Sequence, residues 1–294
     1  MKKINIVEQK KIMVEILAYF DKVCRQNNIN YSLIGGSLIG AIRHQGIIPW
    51  DDDIDVILSR DNYLKIIEIL EKDDDARFKI LTKNNTKDYF FPFPKLVDKR
   101  TYVVEHQNLE QISEYGIYID IFSYNFMPSS QKERTKVVKK IKLYNSMMSR
   151  KKLNFKKEGI KQNFLRFNKN MISKVIGYDS IYKKLEKIYN KYSKNKSDYV
   201  VSNWPIYDIS KEIQKSNSIA EYINVSFENI QVMIFKNYDE ILKTTFGDYM
   251  QLPPEDKRKS HGLEAYWRND KDDGTYNSGY GFGDCCGQIY SFKD

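Results

Sequence analysis

At 294 residues, with 30 % charged and 41 % hydrophobic positions, the chain can form one large domain or a core with a subdomain, and its balance excludes a disordered protein. No apolar run of about 18 residues follows the basic start or occurs later, so neither a secretion signal nor a membrane span is expected. Three cysteines, Cys24, Cys285 and Cys286, form neither a disulfide framework nor CxxC metal pairs, and a cytoplasmic location is expected.

In chain order, Met13, Ile16, Leu17, Phe20 and Cys24 share one face of a helix predicted over residues 10–26. Tyr31-Ser32-Leu33-Ile34 reads as a short strand entering Gly35-Gly36-Ser37, with Ser37 placed to cap a short helix. A strand is predicted over residues 53–58 and a helix over 61–72 with Leu64, Ile67 and Leu70 inward. Strands at 78–81, 95–97 and 117–122 follow, the last interrupted by Asp120. Residues 131–192 read as helical, strands return at 200–204 and 230–235, and a helix covers 238–245. The tail from Gly274 to Gly287 is expected to be irregular.

The net charge of +9 is uneven, because residues 132–198 hold 21 Lys and Arg against 5 Asp and Glu and the remainder is net acidic. Such a block suits a polyanion, including an anionic membrane face that it would touch peripherally, or else is a solvated helical surface. No nucleic-acid recognition motif accompanies it, so no specific nucleic-acid partner is expected.

The sharpest chemical signal is Trp50-Asp51-Asp52-Asp53-Ile54-Asp55-Val56. On a strand, Asp51, Asp53 and Asp55 share one face. Carboxylates so grouped repel one another unless a cation compensates, and magnesium, or manganese, suits a few carboxylates plus substrate phosphates. Gly35, Gly36 and Ser37 ahead of a helix offer free N–H groups and the positive dipole end to a phosphate, although a Gly-Gly turn is often only a turn. Asp120, inside an apolar strand, is read as a third metal ligand or a general base for an acceptor hydroxyl, against a structural salt bridge. Arg43, His44, Lys95 and His261 are candidate phosphate contacts, with surface or structural roles as the alternatives.

The run from Tyr31 to Gly46, continuing through Ile48-Pro49-Trp50-Asp51-Asp52-Asp53-Ile54-Asp55, strongly resembles the signature of LicD family phosphotransferases. Lys95 to Thr101, Gly116 to Phe122, and Phe246-Gly247-Asp248-Tyr249-Met250 through Pro253-Pro254 to His261 agree with it. Ser37 stands where many relatives have threonine, and Ser123-Tyr124-Asn125 departs from the family's Pro and further Asp. The resemblance implies an α+β fold, a nucleotidyltransferase-like mixed β-sheet core flanked by helices, with a basic helical subdomain. Expected divisions are a catalytic core at 1–128, the basic helical part at 129–198 and a C-terminal completion at 199–294. It also implies transfer of a phospho-alcohol, foremost phosphocholine, from a CDP-linked donor to a cell-surface glycan such as teichoic acid, lipid-linked acceptors included, with release of CMP. Asp53, Asp55 and Asp120 occupy the family's metal and catalytic places. Alternatives are nucleotidyl transfer to a small molecule and a non-catalytic module binding phosphoglycan or membrane.

Overall fold

The computed structural model describes residues 1–105, 112–148, 164–165, 167–168, 171–172, 175–193, 196–258, 260 and 262–269. Helix α1 (Ile6–Gln26) begins earlier than its apolar stripe because the Asn5 side chain accepts the Glu8 N–H at 2.9 Å, capping the first turn. Its predicted face, Met13, Ile16, Leu17, Phe20 and Cys24, is buried in the main core.

The chain alternates thereafter: β1 (Lys3–Ile4) precedes α1, then come β2 (Ser32–Leu33), α2 (Gly35–Arg43), β3 (Asp55–Ser59) and α3 (Arg60–Lys72). β4 (Phe78–Leu81), β5 (Lys95–Asp98), β6 (Thr101–Val104) and β7 (Tyr118–Phe126) follow, then α4 (Gln131–Met148) and α5 (Tyr178–Ser193). The last part holds β8 (Tyr199–Ser202), α6 (Ile209–Glu212), β9 (Ile213–Lys215), β10 (Tyr222–Phe227), β11 (Ile230–Phe235), α7 (Tyr238–Phe246) and β12 (Glu264–Trp267). The protein is α+β, as expected.

The main sheet runs β2-β3-β7-β5-β4, and β8 and β9 extend it along the second half of β7. β3 and β7 are parallel and the other pairs antiparallel, so the sheet is mixed. Val56, Leu58, Ile119 and Ile121 face the main core, while Ile57, Phe122 and Tyr124 belong to a second cluster with Phe93, Phe235 and Ile241. This two-sided burial follows from the period-2 alternation of the strands. α4 and α5 bury Val138, Ile141, Met148, Ile181 and Leu185 in a cluster of their own with Val201. Among the described residues no helix is long and apolar enough to cross a membrane.

Three expectations are corrected. The face of α3 is turned: Tyr63, Ile66 and Leu70 are buried, whereas Leu64 is 48 % exposed. Two neighbouring stripes compete at the same spacing, and the one carrying the larger Tyr63 wins the core. The helix after the glycine turn starts at Gly35, so Ser37 lies inside α2 rather than at its cap. β3 begins at Asp55, not Asp53, although exposure still alternates from Asp51 to Val56. Strands β1, β6, β9, β10 and β12 were not expected; β6 and β12 pair with each other beside β1 in a small second sheet.

The loop between α2 and β3 is packed without slack. A Cβ on Gly40 would collide with the Gly46 carbonyl oxygen, and the Ile47 N–H donates to Glu228 Oε1 at 2.9 Å. Gly40→Ala is therefore expected to lower stability by about 1–3 kcal/mol in a denaturant titration. An unchanged midpoint would show that the loop can shift freely.

Candidate active site

Three strands bring three charged residues into one row. Register places Asp55 of β3 opposite Asp120 of β7, and Asp120 opposite Lys95 of β5. The Lys95 ammonium donates to Asp120 Oδ1 at 2.5 Å, and Lys95 is only 2 % exposed. Its Nζ lies 3.6 Å from the Tyr118 ring centroid and 4.4 Å from that of Phe91, with Phe93 and Tyr115 further out. Aromatic faces thus replace part of the water that the ammonium gave up. Lys95, offered as a phosphate contact, is placed as the electrostatic partner of Asp120.

The glycine turn meets the acidic run directly. Asp51 Oδ2 lies 2.5 Å from where a Cβ on Gly36 would stand, and Asp55 Oδ2 lies 3.6 Å from that of Gly35, whose φ is +62°. The start of α2 is therefore approached by carboxylates, which its N–H groups and dipole favour. Ser37 Oγ accepts the Asp55 N–H at 2.9 Å and so fixes the entry of β3.

Burial pushes the Asp55 carboxyl well above the usual carboxylate range; the charges of Asp53, Asp120 and Asp51 push the same way, and Lys95 opposes them. A carboxyl whose folded pKa is raised contributes most stability at low pH and loses it as pH rises from the unfolded value through the folded one. Asp55→Asn, which cannot ionise, is thus expected to gain stability over the wild type as pH rises from about 5 to about 8, a window above the ordinary carboxylate range. Urea titrations at the two pH values would read this, and a difference that shrinks with pH would contradict it.

Arg43 and His44 have partners of their own. Arg43 Nη1 donates to the carbonyls of Tyr249 at 2.7 Å and Gln251 at 3.2 Å, tying α2 to the segment after α7. His44 stands edge-on to Trp50 at 6.0 Å, and burial, then Arg43 and Lys10, lower its pKa. The Arg258 guanidinium also lies against Trp50, 5.2 Å from its ring centroid. His261, Cys285 and Cys286 lie outside the described residues.

Two residues of the neighbourhood were missed. Asp52 is 2 % exposed and accepts the N–H groups of Gly262 at 3.0 Å and Leu263 at 3.3 Å, anchoring the approach to β12. Tyr207 senses the acidic row: burial, then Asp55, Glu212, Asp51 and Asp53, push its hydroxyl up to about 12. Its ring packs edge-on against Phe246 at 5.2 Å and lines a small cavity with Gly35, Tyr124 and Lys211. Nothing in local patterning marks Tyr207, since Asp51, Asp53 and Asp55 lie roughly 150 residues away in sequence.

Among the described residues no three His, Cys, Asp or Glu side chains form a ready-made cation cage. Magnesium needs few protein ligands, completing its shell with water and phosphate oxygens. The donor set of Asp53, Asp55 and Asp120, hard oxygens that repel one another, has the chemistry such an ion takes.

The fold and this row of charged strand residues beside a glycine-started helix define an α+β protein with a candidate acidic centre. The family description LicD/FKTN/FKRP, nucleotidyltransferase domain, matches residues 28–162, which include every member of that row. The lipopolysaccharide cholinephosphotransferase LicD of Haemophilus influenzae is 32 % identical over 282 residues, covering 90 % of this chain and 99 % of that protein. Uncharacterized proteins of Rickettsia typhi and Rickettsia prowazekii match locally, at 32 % over 80 residues and 36 % over 70. The chain belongs to the LicD family.

Proposed function

We propose that the protein is a metal-dependent phosphotransferase that moves phosphocholine from a CDP-linked donor to a hydroxyl of a surface glycan, releasing CMP. The observation that carries this reading is the end-to-end similarity to a lipopolysaccharide cholinephosphotransferase, which makes lipopolysaccharide the first acceptor to test and teichoic acid or capsule the next. Asp53, Asp55 and Asp120 would hold magnesium, which supplies charge neutralisation at the donor pyrophosphate. Asp120 is also within reach of a role as base toward the acceptor hydroxyl, with Lys95 fixing its carboxylate. The N–H groups at the start of α2, at Gly35 and Gly36, would contact phosphate oxygens, and the exposed edge of Tyr207 offers a wall to the donor.

The family description's own wording, a nucleotidyltransferase domain, supports a second reading, nucleotidyl transfer to a small molecule. Calorimetric titration with CDP-choline, CDP-ethanolamine, CDP-glycerol, CDP-ribitol and ATP, each with and without magnesium, separates the two. Metal-dependent binding of one CDP compound is expected. Selective binding of ATP would favour nucleotidyl transfer, and binding of none would favour a module that only holds phosphoglycan or membrane.

A further inference from the structure

Residues 164–176 repeat the spacing of a buried helix face without being buried. Apolar side chains recur at Phe164, Phe167, Met171 and Val175 and, one step on, at Leu165, Ile172 and Ile176, the three- and four-residue rhythm of a helix. The described part of this stretch, residues 164–165, 167–168, 171–172 and 175–176, is helical. Yet Phe164 is 63 % and Val175 85 % exposed, and the other five lie between 37 % and 50 %. α5 carries the same rhythm at Ile181, Leu185 and Tyr189, and there all three are buried in the cluster shared with α4. Soluble proteins seldom leave a contiguous apolar stripe in water, and one that persists marks a surface that meets a partner.

The charge around the stripe identifies that partner. Between Glu158 and Asp179 the sequence has four basic residues, Lys161, Arg166, Lys169 and Lys174, and no acidic one. Exposed lysines on the two neighbouring helices add to them, Lys136, Lys139 and Lys140 on α4 and Lys183, Lys184 and Lys187 on α5. A second copy of this chain would bring the same positive charge to the same stripe, which opposes self-association. A layer of anionic headgroups over acyl chains accepts both features at once: apolar side chains enter the boundary, and lysines stay with the headgroups. A helix over residues 164–176 covers about 20 Å, short of the roughly 30 Å hydrocarbon core, so it suits lying on a bilayer rather than crossing one.

From this we infer that residues 164–176 are an interfacial anchor, their apolar stripe sunk into the surface of an anionic bilayer and the lysines of α4 and α5 adding electrostatic attraction. Such an anchor would place the protein on the surface that carries a lipid-borne glycan acceptor. The membrane contact itself stands apart from the transfer reading, because it uses none of Asp53, Asp55 and Asp120.

The test is flotation of the full chain with vesicles of phosphatidylcholine alone and of phosphatidylcholine with phosphatidylglycerol at about three to one, for the wild type and Phe167→Glu/Val175→Glu. The wild type is expected to bind the anionic vesicles roughly tenfold or more tightly than the neutral ones and to bind them more weakly in about 1 M salt. The double variant should lose roughly tenfold or more of that binding with an unchanged melting temperature, since both substituted side chains are exposed. Leu165→Ser/Ile172→Ser carries the same expectation and keeps the test intact if the first variant misfolds. Wild-type protein that stays off the anionic vesicles, binding indifferent to lipid charge, or binding unmoved in a folded variant would overturn the anchor. A dimer in light scattering that the double variant splits would give the stripe to a second copy and overturn it as well. Flotation as expected, without CMP release from any CDP donor, would uphold the anchor and overturn the transfer reading alone.

Discussion

Lys95→Met is expected to lower the free energy of unfolding by about 3–5 kcal/mol, the usual result of removing one partner of a buried ion pair. The substitution keeps an apolar stem among Phe91, Phe93, Tyr115 and Tyr118 and removes the ammonium. Asp120, 8 % exposed and opposite Asp55, then loses the 2.5 Å contact that offsets its charge. The double variant Lys95→Met/Asp120→Leu should be more stable than Lys95→Met alone, because neither charge is left behind. Denaturant titration reads both variants. A loss below about 1 kcal/mol in the single variant would mean that the pair is solvated and does not organise the row.

The second large effect is on turnover. Asp53→Ala and Asp120→Ala are each expected to lower kcat by about 10³-fold or more while leaving circular dichroism unchanged for Asp53→Ala. Asp53 lies just before β3, outside the hydrogen-bonded ladder and half-buried, so its removal leaves the sheet register intact. Its negative charge bears on the Asp55 carboxyl. Retention of more than about a tenth of the wild-type rate in Asp53→Ala would remove that carboxylate from the reaction. Stopped assays over a magnesium series would then show whether the ion acts through Asp55 and Asp120 instead.

How much of the fold and site is legible in the sequence depends on the range of each interaction. Strands β4 and β11 coincide with their predicted spans, because runs of β-branched and aromatic residues bounded by polar turns need no partner to be recognised. The acidic centre is readable too: Asp53, Asp55 and Asp120 stand out as charges in or beside apolar strands. What a linear reading cannot supply is who faces whom. Ser37 looks like a cap until its hydroxyl is found on the Asp55 N–H. Arg43 looks like a phosphate fork until its guanidinium meets the carbonyls of Tyr249 and Gln251, more than 200 positions later. Asp52 shares the acidic run yet points to Gly262 and Leu263. β6 and β12 are not singled out in the linear reading, and their roles come from pairing with each other across the chain.

The glycine turn illustrates the same limit. In the sequence Gly35 and Gly36 point to phosphate, whereas in the fold Asp51 and Asp55 stand against them. The two uses are compatible in chemistry, since a helix start that tolerates carboxylates also tolerates phosphate oxygens held beside a shared cation.

Product analysis tests the proposed transfer most directly: the protein is incubated with CDP-choline, magnesium and de-O-acylated lipopolysaccharide, and the nucleotide released is identified by phosphorus NMR. Stoichiometric CMP and a new phosphodiester on the glycan are predicted, both absent with Asp53→Ala. Release of free phosphocholine with a cytidylyl group on the glycan in place of free CMP, or no conversion with CDP-choline and each of the other CDP-alcohols across the lipopolysaccharide, teichoic acid and capsule acceptors, would contradict it.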